Sequence, residues 1–396
     1  MEFSAENHNK DREHDEESFS YAFQIMNSYV MPMSMNAAIQ PDVFEIMAKA
    51  GPDAKLSPNE IVAQLPTKNL EAPSMLDRLL RVIACHGIIS CSMAYDEEGN
   101  PHRLYALTPV SRFFVRNEHG VSLAPMMTLA QDKVFLDSCA VCLTYFLSHA
   151  TVSNLTATGV FTLTAAVGMD RLQLKDAFIE GGIPFNRVHG MHAFEYPGKD
   201  LRFNHVFNTA MMNHTTLVMN NILDAYKGFV QHLNQVIVDV GGGLGVSLRF
   251  ITSKYPSVKG INFDLPHVIQ HAPPIPGVEH VAGDMFQNVS KGDAIFMKFI
   301  LHDWSDDDCL KLLKNCYKAI PDEGKIVVVD SMLPDVPDTS SGVRATCQAD
   351  VLMMTQNPGG KERTKQELEA LVSKAGFSGI RYECYVCNLW VMELFK

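Results

Sequence analysis

Apolar and small residues recur at helical spacing from Ser20 to Gln40, in A-F-Q-I-M-N-S-Y-V-M-P-M-S-M-N-A-A-I. That pattern predicts a helix which Pro32 kinks or ends half-way, because a proline ring removes one N–H and crowds the preceding turn. Short helical pieces follow at Val43 to Ala50 and, after the cap-like Ser57-Pro58, at Asn59 to Gln64. A longer one runs from Ala72 to His86, with Leu76, Leu79, Leu80 and Ile83 on one apolar face and Gly87 at its end. The alternating runs I-I-S-C-S-M-A-Y and H-R-L-Y-A-L-T-P, joined by D-E-E-G-N-P, predict a β-hairpin. Three helices and a hairpin make a winged-helix pattern.

The second half has a different texture. V-I-V-D-V-G-G-G-L-G, Val236 to Gly245, is an apolar β-branched run closed by an acid and three glycines, and reads as a buried parallel strand turning into a helix. Strands then alternate with helices through K-G-I-N-F-D, V-E-H-V-A-G-D-M-F, A-I-F-M-K-F-I-L and K-I-V-V-V-D, which is the alternation of an α/β, doubly wound, Rossmann-like domain. T-K-Q-E-L-E-A-L-V-S-K-A-G-F opens with a capping box from Thr364 to Glu367 and ends at Gly376. The last alternating runs suit an antiparallel hairpin closing a seven-stranded sheet. Between the halves, Phe203, Phe207, Met211 and His214 repeat along one helix face, either as core packing or as the wall of an aromatic-substrate pocket.

Charge narrows the partners. A net charge of −12 and a pI near 5.6 exclude the electrostatic footprint of a nucleic-acid or anionic-membrane binder. The third helix of the winged pattern carries only Arg78, Arg81 and His86 as basic groups, too few to neutralise phosphates. A dimerisation scaffold is the better use of it, with Met26, Met31, Met33 and Met35 as the surface that meets a second subunit. The first 18 residues are charged throughout, which fits a disordered tail in the cytosol and neither a signal nor a transit peptide. Two C-x-x-C pairs, Cys139/Cys142 and Cys384/Cys387, lie outside glycine-rich knuckles and read as reduced thiols, so no metal is expected. From 139 to 169 there is no Asp, Glu, Lys or Arg, yet nine Ser, Thr, Asn and His residues between 148 and 164 make this a buried or disordered insertion rather than a membrane span.

The chemistry gathers around the glycines, where a backbone without Cβ atoms lets a ligand approach and a helix start offers free N–H groups. A strict G-x-G-x-x-G is missing, since Val246 stands at the third position, which disfavours a nicotinamide dehydrogenase on the same sheet. Asp264 ends the second strand 23 residues after Gly241, where a carboxylate can accept from both ribose hydroxyls. Asp284 and Met285 after the third strand can supply an acceptor for an adenine amine and an apolar cover for its ring. The fourth strand carries Lys298 and ends at His302-Asp303-Trp304.

V-D-V-G-G-G-L-G, I-N-F-D-L-P-H-V, V-A-G-D-M-F, F-M-K-F-I-L-H-D-W-S-D and N-P-G-G-K-E-R-T, in this order, closely resemble the plant class I S-adenosylmethionine-dependent O-methyltransferases, the caffeic-acid type and its alkaloid and flavonoid relatives. D-V-F-E-I-M, A-P-S-M-L-D-R-L-L-R and Y-A-L-T-P are similar to that family's dimerisation domain. The resemblance implies a cytosolic homodimer that methylates a phenolic hydroxyl of a small specialised metabolite. It implies that Gly241, Asp264, Asp284, Met285 and Lys298 bind S-adenosylmethionine, that His302 is the general base, and that Asp330 and Glu362 flank it and fix its tautomer. Met353 and Asn357 match pocket positions of the family in V-L-M-M-T-Q-N-P-G-G.

The departures concern the substrate. The caffeic-acid type has Glu where this chain has Asp330, Met-Asn where it has Leu129-Ala130, and His where it has Pro197; Phe135 adds bulk where Leu is frequent. These changes favour a less polar phenol, such as an isoquinoline alkaloid, over a hydroxycinnamate. The expected organisation is a tail over 1–18, a winged-helix dimerisation domain over 19–138, an insertion over 139–171, and substrate-binding helices with the methyltransferase domain over 172–396. The insertion has the texture of a retained intron and motivates an alternative, a catalytically inactive or regulatory paralogue that dimerises without turning over.

Overall fold

The computed structural model describes residues 27–139, 180–230 and 235–396, together with positions 18, 21, 24, 25 and 177. The expected insertion lies outside the described residues but for Cys139, and the tail but for Ser18. The chain forms two compact units, divided between Gln131 and Asp132.

The first unit holds helices Val30–Ile39, Val43–Lys49, Pro58–Val62, Ala72–Cys85 and Ala124–Ala130, with strands β1 (Ile89–Tyr95) and β2 (Pro101–Leu107) paired antiparallel. Of the two effects expected of Pro32, the kink is absent, while the helical run does break, at a turn over 27–29 just ahead of it. Pro32 is the third residue of Val30–Ile39, where its missing N–H would have had no helical acceptor anyway. The next start is set by a full capping box: Ser57 Oγ accepts from the Glu60 N–H, and Glu60 Oε2 accepts from the Ser57 N–H at 2.7 Å. Met35, Phe44, Met47, Ile61, Leu80, Ile83 and Ile89 fill the core beneath the hairpin. Tyr105 is buried among them and donates its hydroxyl to Asp77 Oδ1 at 2.7 Å, which lets a polar atom enter an apolar layer.

The second unit is built on a seven-stranded sheet. Its strands are β3 (Val236–Val240), β4 (Lys259–Asp264), β5 (Val278–Ala282), β6 (Ala294–Lys298), β7 (Lys325–Asp330), β10 (Gly379–Val386) and β11 (Leu389–Phe395), in the order β10-β11-β7-β6-β3-β4-β5. β11 runs antiparallel to β7 and β10, and the other neighbours are parallel. Both faces are covered, so the central strands read as unbroken apolar runs and alternate residues serve opposite cores. Val238, Val240, Ile326 and Val328 pack with Leu312 and Leu313 of helix Asp306–Ala319 and Leu371 of helix Lys365–Ala375. Ile237, Val327 and Val329 pack with Met219 and Ile222 of helix Leu201–Ala225 and Ile251 of helix Val246–Lys254. The C-terminal helix keeps its expected punctuation, a Thr364/Glu367 capping box and a left-handed Gly376. A short parallel pair, β8 (Met332–Leu333) with β9 (Arg363–Thr364), ties the chain after β7 to the segment that carries Glu362.

Candidate active site

Strand order reverses between β3 and β6, the crevice where a doubly wound sheet receives ligands beyond its strand ends. The glycine turn leaves β3 on one side of it. Gly241 has φ +69°, and a Cβ there would stand 2.4 Å from Ile300 Cδ1, so a side chain would be strained and would have to push Ile300 aside. The Gly241 N–H donates to Phe263 O at 2.9 Å and the Gly243 N–H to Asp264 Oδ2 at 2.8 Å. Asp264 also accepts from the Leu265 N–H at 2.7 Å. Burial raises its pKa above the ordinary carboxylate value, against the pull of those two N–H groups. Asp284 accepts from the Phe286 N–H at 2.9 Å, and Met285 packs half-buried on the core beside it.

On the other side, Lys298 is buried at the end of β6. Burial drives its pKa down to about 8 against the attraction of Asp239, Asp330 and Asp303. The chain then makes an abrupt turn through Phe299, at φ +58°, into a short 3-10 turn at Leu301–Asp303. His302 sits on that turn. Its Nδ1 donates to Glu362 Oε1 at 2.8 Å, and Glu362 is only 2 % exposed. An Nδ1–H committed to a carboxylate leaves Nε2 as the free acceptor of the neutral ring. Burial alone would lower the pKa of His302, but Asp303, the Glu362 hydrogen bond and Asp330 outweigh it and bring it to about 9. Asp303 Oδ1 lies 3.7 Å from Nε2 and accepts from Asn357 Nδ2 at 2.7 Å.

The carboxylates therefore divide their work differently from the simple flanking pair the sequence suggested. Glu362 alone bonds the ring; Asp330, buried at the end of β7, makes no hydrogen bond to His302 among the described residues and acts on it through charge. Burial raises Asp330 to about 7 and Asp303 to about 6. Asp303, for which the H-D-W motif suggests no role, is the carboxylate beside Nε2.

Arg363 was also passed over. Its guanidinium is buried, donates to the carbonyls of Leu301 (2.6 Å) and Trp304 (2.9 Å), and pairs with Asp306 at 2.8 Å, so it holds both ends of the histidine turn. Its signal in the sequence was its position next to Glu362 in K-E-R-T. Phe299 gave none, because nothing in F-M-K-F-I-L marks a left-handed residue.

The four residues on the helix face separate. Phe203 is 1 % exposed and packs edge-on against Phe135 and Tyr196, so it belongs to the core. Phe207 and Met211 are half-buried, and His214 lies against Phe299 with ring centroids 5.2 Å apart. His214 Nδ1 has no partner among the described residues, and burial, aided by Lys298, drives its pKa down to about 3, so the ring is neutral. On the far wall Asn357 is buried and donates to Met353 Sδ at 3.7 Å as well as to Asp303. Among the described residues no group of His, Cys, Asp and Glu could hold a metal ion, and the described cysteines, Cys384 and Cys387 included, are free thiols. The Cys139/Cys142 pair lies outside the residues whose side chains are described. No described helix is long and apolar enough to cross a membrane.

The chain has relatives among known proteins. Residues 172–378 match the O-methyltransferase domain family, and residues 23–117 match the O-methyltransferase dimerisation domain. The chain belongs to the O-methyltransferase family. It is 51 % identical to a catechol O-methyltransferase of Solanum lycopersicum, over 97 % of this chain and 96 % of the relative. It is 52 % identical to O-methyltransferase 16 of Lophophora williamsii (96 % and 93 % covered) and 50 % identical to caffeic acid 3-O-methyltransferase of Prunus dulcis (96 % and 95 %). Among solved structures, the fold is shared with human N-acetylserotonin methyltransferase in complex with SAM, at TM-score 0.70 and 19 % identity over 96 % of this chain and 97 % of that one. It is shared also with the mitomycin 7-O-methyltransferase MmcR, at TM-score 0.67 and 20 % identity over 97 % and 98 %. As an O-methyltransferase the chain carries both parts of the family's organisation, the dimerisation domain and the catalytic one.

Proposed function

We propose that this O-methyltransferase transfers a methyl group from S-adenosylmethionine to a phenolic hydroxyl of a plant specialised metabolite, an isoquinoline alkaloid or a phenylpropanoid or flavonoid, with His302 as general base. The observation that carries the reading is the hydrogen bond from His302 Nδ1 to Glu362, which leaves Nε2 free to accept a proton, on a ring that its carboxylates make more basic. A phenol has a pKa of about 10, and a histidine raised to about 9 by its carboxylates lies within about one unit of it. Proton transfer between groups so matched is nearly free of cost, and the same carboxylates stabilise the imidazolium that results.

The residues at the switch point fit the donor. Asp264 and Asp284 offer carboxylates where ribose hydroxyls and an adenine amine need acceptors, Met285 covers a ring, and Gly241 leaves the backbone bare. Lys298 completes this set from β6. The chemistry that bound S-adenosylmethionine supplies is a methyl on a sulfonium sulfur, open to in-line attack by oxygen. The protein's part is to hold the phenol, take its proton at His302 Nε2, and exclude water. Phe207, Met211, His214, Met353 and Asn357 form the apolar, weakly polar walls for a planar substrate. The names of the relatives, catechol and caffeic acid among them, support a phenol. We further read the enzyme as a cytosolic homodimer without nucleic-acid partners, in keeping with its charge of −12, and residues 139–171 as an insertion between the dimerisation domain (19–138) and the catalytic part (172–396).

The test is turnover with methyl-labelled S-adenosylmethionine against hydroxycinnamates, flavonoids and benzylisoquinolines, for the full chain and for a form lacking residues 139–171. The proposal expects product from the full chain and a loss of about 100-fold or more in His302→Ala. Product only from the shortened form would make the insertion disabling, and silence from both across the panel would overturn the reading.

A further inference from the structure

Three polar residues stand side by side across the sheet beneath the glycine turn. Asp239 of β3 is in register with Asn262 of β4, and Asn262 with His280 of β5, so all three project from the same face. Asp239 is 2 % and Asn262 0 % exposed, in strands that otherwise contribute apolar residues to the two cores. Polar groups so deeply buried are expected to be committed to partners.

The commitments run in one direction. Asn262 Nδ2 donates to the Gly243 carbonyl at 2.9 Å and to His280 Nδ1 at 3.1 Å, which uses both amide hydrogens. His280 Nε2 donates to the Pro273 carbonyl at 2.9 Å. A carbonyl can only accept, so Nε2 carries the ring hydrogen and Nδ1 is the acceptor that Asn262 requires. At the other end, Asn262 Oδ1 and Asp239 Oδ2 converge under Gly242, where a Cβ would stand 2.2 and 2.7 Å from them. Neither oxygen has a hydrogen-bond partner among the described residues, and burial raises Asp239 to about 8, so near neutral pH its carboxyl holds a proton. Gly243 is thereby gripped twice: its N–H by Asp264, its C=O by Asn262.

We propose that His280 is a positioning residue for the cofactor turn, acting through Asn262 to fix the Gly243 peptide before the methyl donor arrives. The proposal rests on the reading of the turn as the S-adenosylmethionine site. His280 makes no hydrogen bond to the turn itself; its ring lies beside Gly245, and its polar link to the turn runs through Asn262. Its function is to hold the Asn262 amide in the one orientation that points Nδ2 at Gly243. An apolar side chain in its place would leave one amide hydrogen without an acceptor and free the amide to turn over, whereas a glutamine, with one acceptor oxygen and one donor nitrogen, can stand in for both ring nitrogens.

Calorimetric titration of the full chain with S-adenosylhomocysteine, alongside thermal melts and steady-state kinetics, tests this. We expect His280→Leu to weaken S-adenosylhomocysteine binding about tenfold, the scale of one well-placed hydrogen bond, and to raise KM for S-adenosylmethionine equally, with kcat and KM for the phenol within about twofold of wild type. His280→Gln should restore most of the affinity. Asn262→Leu should show a similar loss, and adding His280→Leu to it should cost little more, because the second residue acts through the first. Unchanged affinity in His280→Leu would overturn the proposal, as would equal damage from Gln and Leu, or losses that multiply in the double variant. Failure of the wild-type chain to bind S-adenosylhomocysteine would instead refute the cofactor site itself.

Discussion

The rings of Phe299 and His302 lie 10° from parallel with their centroids 5.0 Å apart. This stack exists because Phe299 accepts a left-handed backbone, φ +58°, that turns its side chain back over the residue three positions on. Such a conformation costs about 1–3 kcal/mol in a residue with a Cβ and persists only where the surroundings enforce it. The same ring carries Lys298 Nζ 4.3 Å from its centroid and His214 against it, so one phenyl group connects the β6 cation, the neutral His214 and His302.

The face of that ring attracts the imidazolium form of His302. Phe299→Leu keeps apolar bulk and removes the attraction, worth about 0.5–1 kcal/mol. We expect the acidic limb of the kcat/KM profile to move down by about half a pH unit, with a several-fold lower rate on the plateau. An unmoved limb would show that the stack is packing alone.

His302, held at about 9, is mostly protonated in the free enzyme near neutrality. Since kcat/KM reports ionisations of the free enzyme, it should rise about tenfold per pH unit below the limb and level off near pH 9. Glu362→Gln removes the charge bonded to Nδ1. We expect the limb to fall towards the ordinary histidine value of about 6.5 and the plateau to drop by about 100-fold, because an amide no longer selects the Nδ1–H tautomer or stabilises the imidazolium.

Asp330 offers a stability test with a definite sign. Its folded pKa, about 7, lies above the ordinary 3.8, so the native state binds the proton more tightly and loses that advantage as pH rises from 4 to 7. Asp330→Asn cannot ionise. Urea unfolding at pH 5 and pH 8 should therefore show the variant gaining on wild type at the higher pH, with a slope of at most about 1.4 kcal/mol per pH unit inside that window. A difference between the two proteins that does not change with pH would refute the buried, raised carboxyl.

Arg363→Lys should be far from conservative. One ammonium cannot replace a guanidinium that serves two buried carbonyls and Asp306 together. We expect a loss of about 2–4 kcal/mol, from acceptors left unpaired in the core. The thermal melt reads this, and activity should fall below wild type at temperatures where the variant is still folded.

The parts legible in the sequence were those whose signals are local. The glycine turn, the strand-end Asp264 and Asp284, the Thr364/Glu367 box and the hairpin of β10 and β11 each depend on a few consecutive residues whose backbone preferences agree with the final fold. The kink expected of Pro32 is absent because its effect depends on where the helix begins, one turn either way deciding between tolerance and a kink. Phe203 and Phe207 look alike in sequence, and the presence of Phe135 and Tyr196 beside the first accompanies its full burial while the second stays half-buried. Asn262 and His280 could pass for ordinary strand residues, since their meaning lies in a register shared by three strands.

Glu362, which accepts from His302 Nδ1, stands 60 residues downstream of it, and Arg363, which clamps the histidine turn, follows immediately. During synthesis the glycine turn, the strand-end acids and the histidine all leave the ribosome well before either of them. A nascent chain halted short of residue 362 would contain the glycine turn, both strand-end acids and His302, and would still lack the carboxylate that accepts from the imidazole. Competence for methyl transfer thus arrives late and all at once, when a distant segment closes over chemistry already laid out.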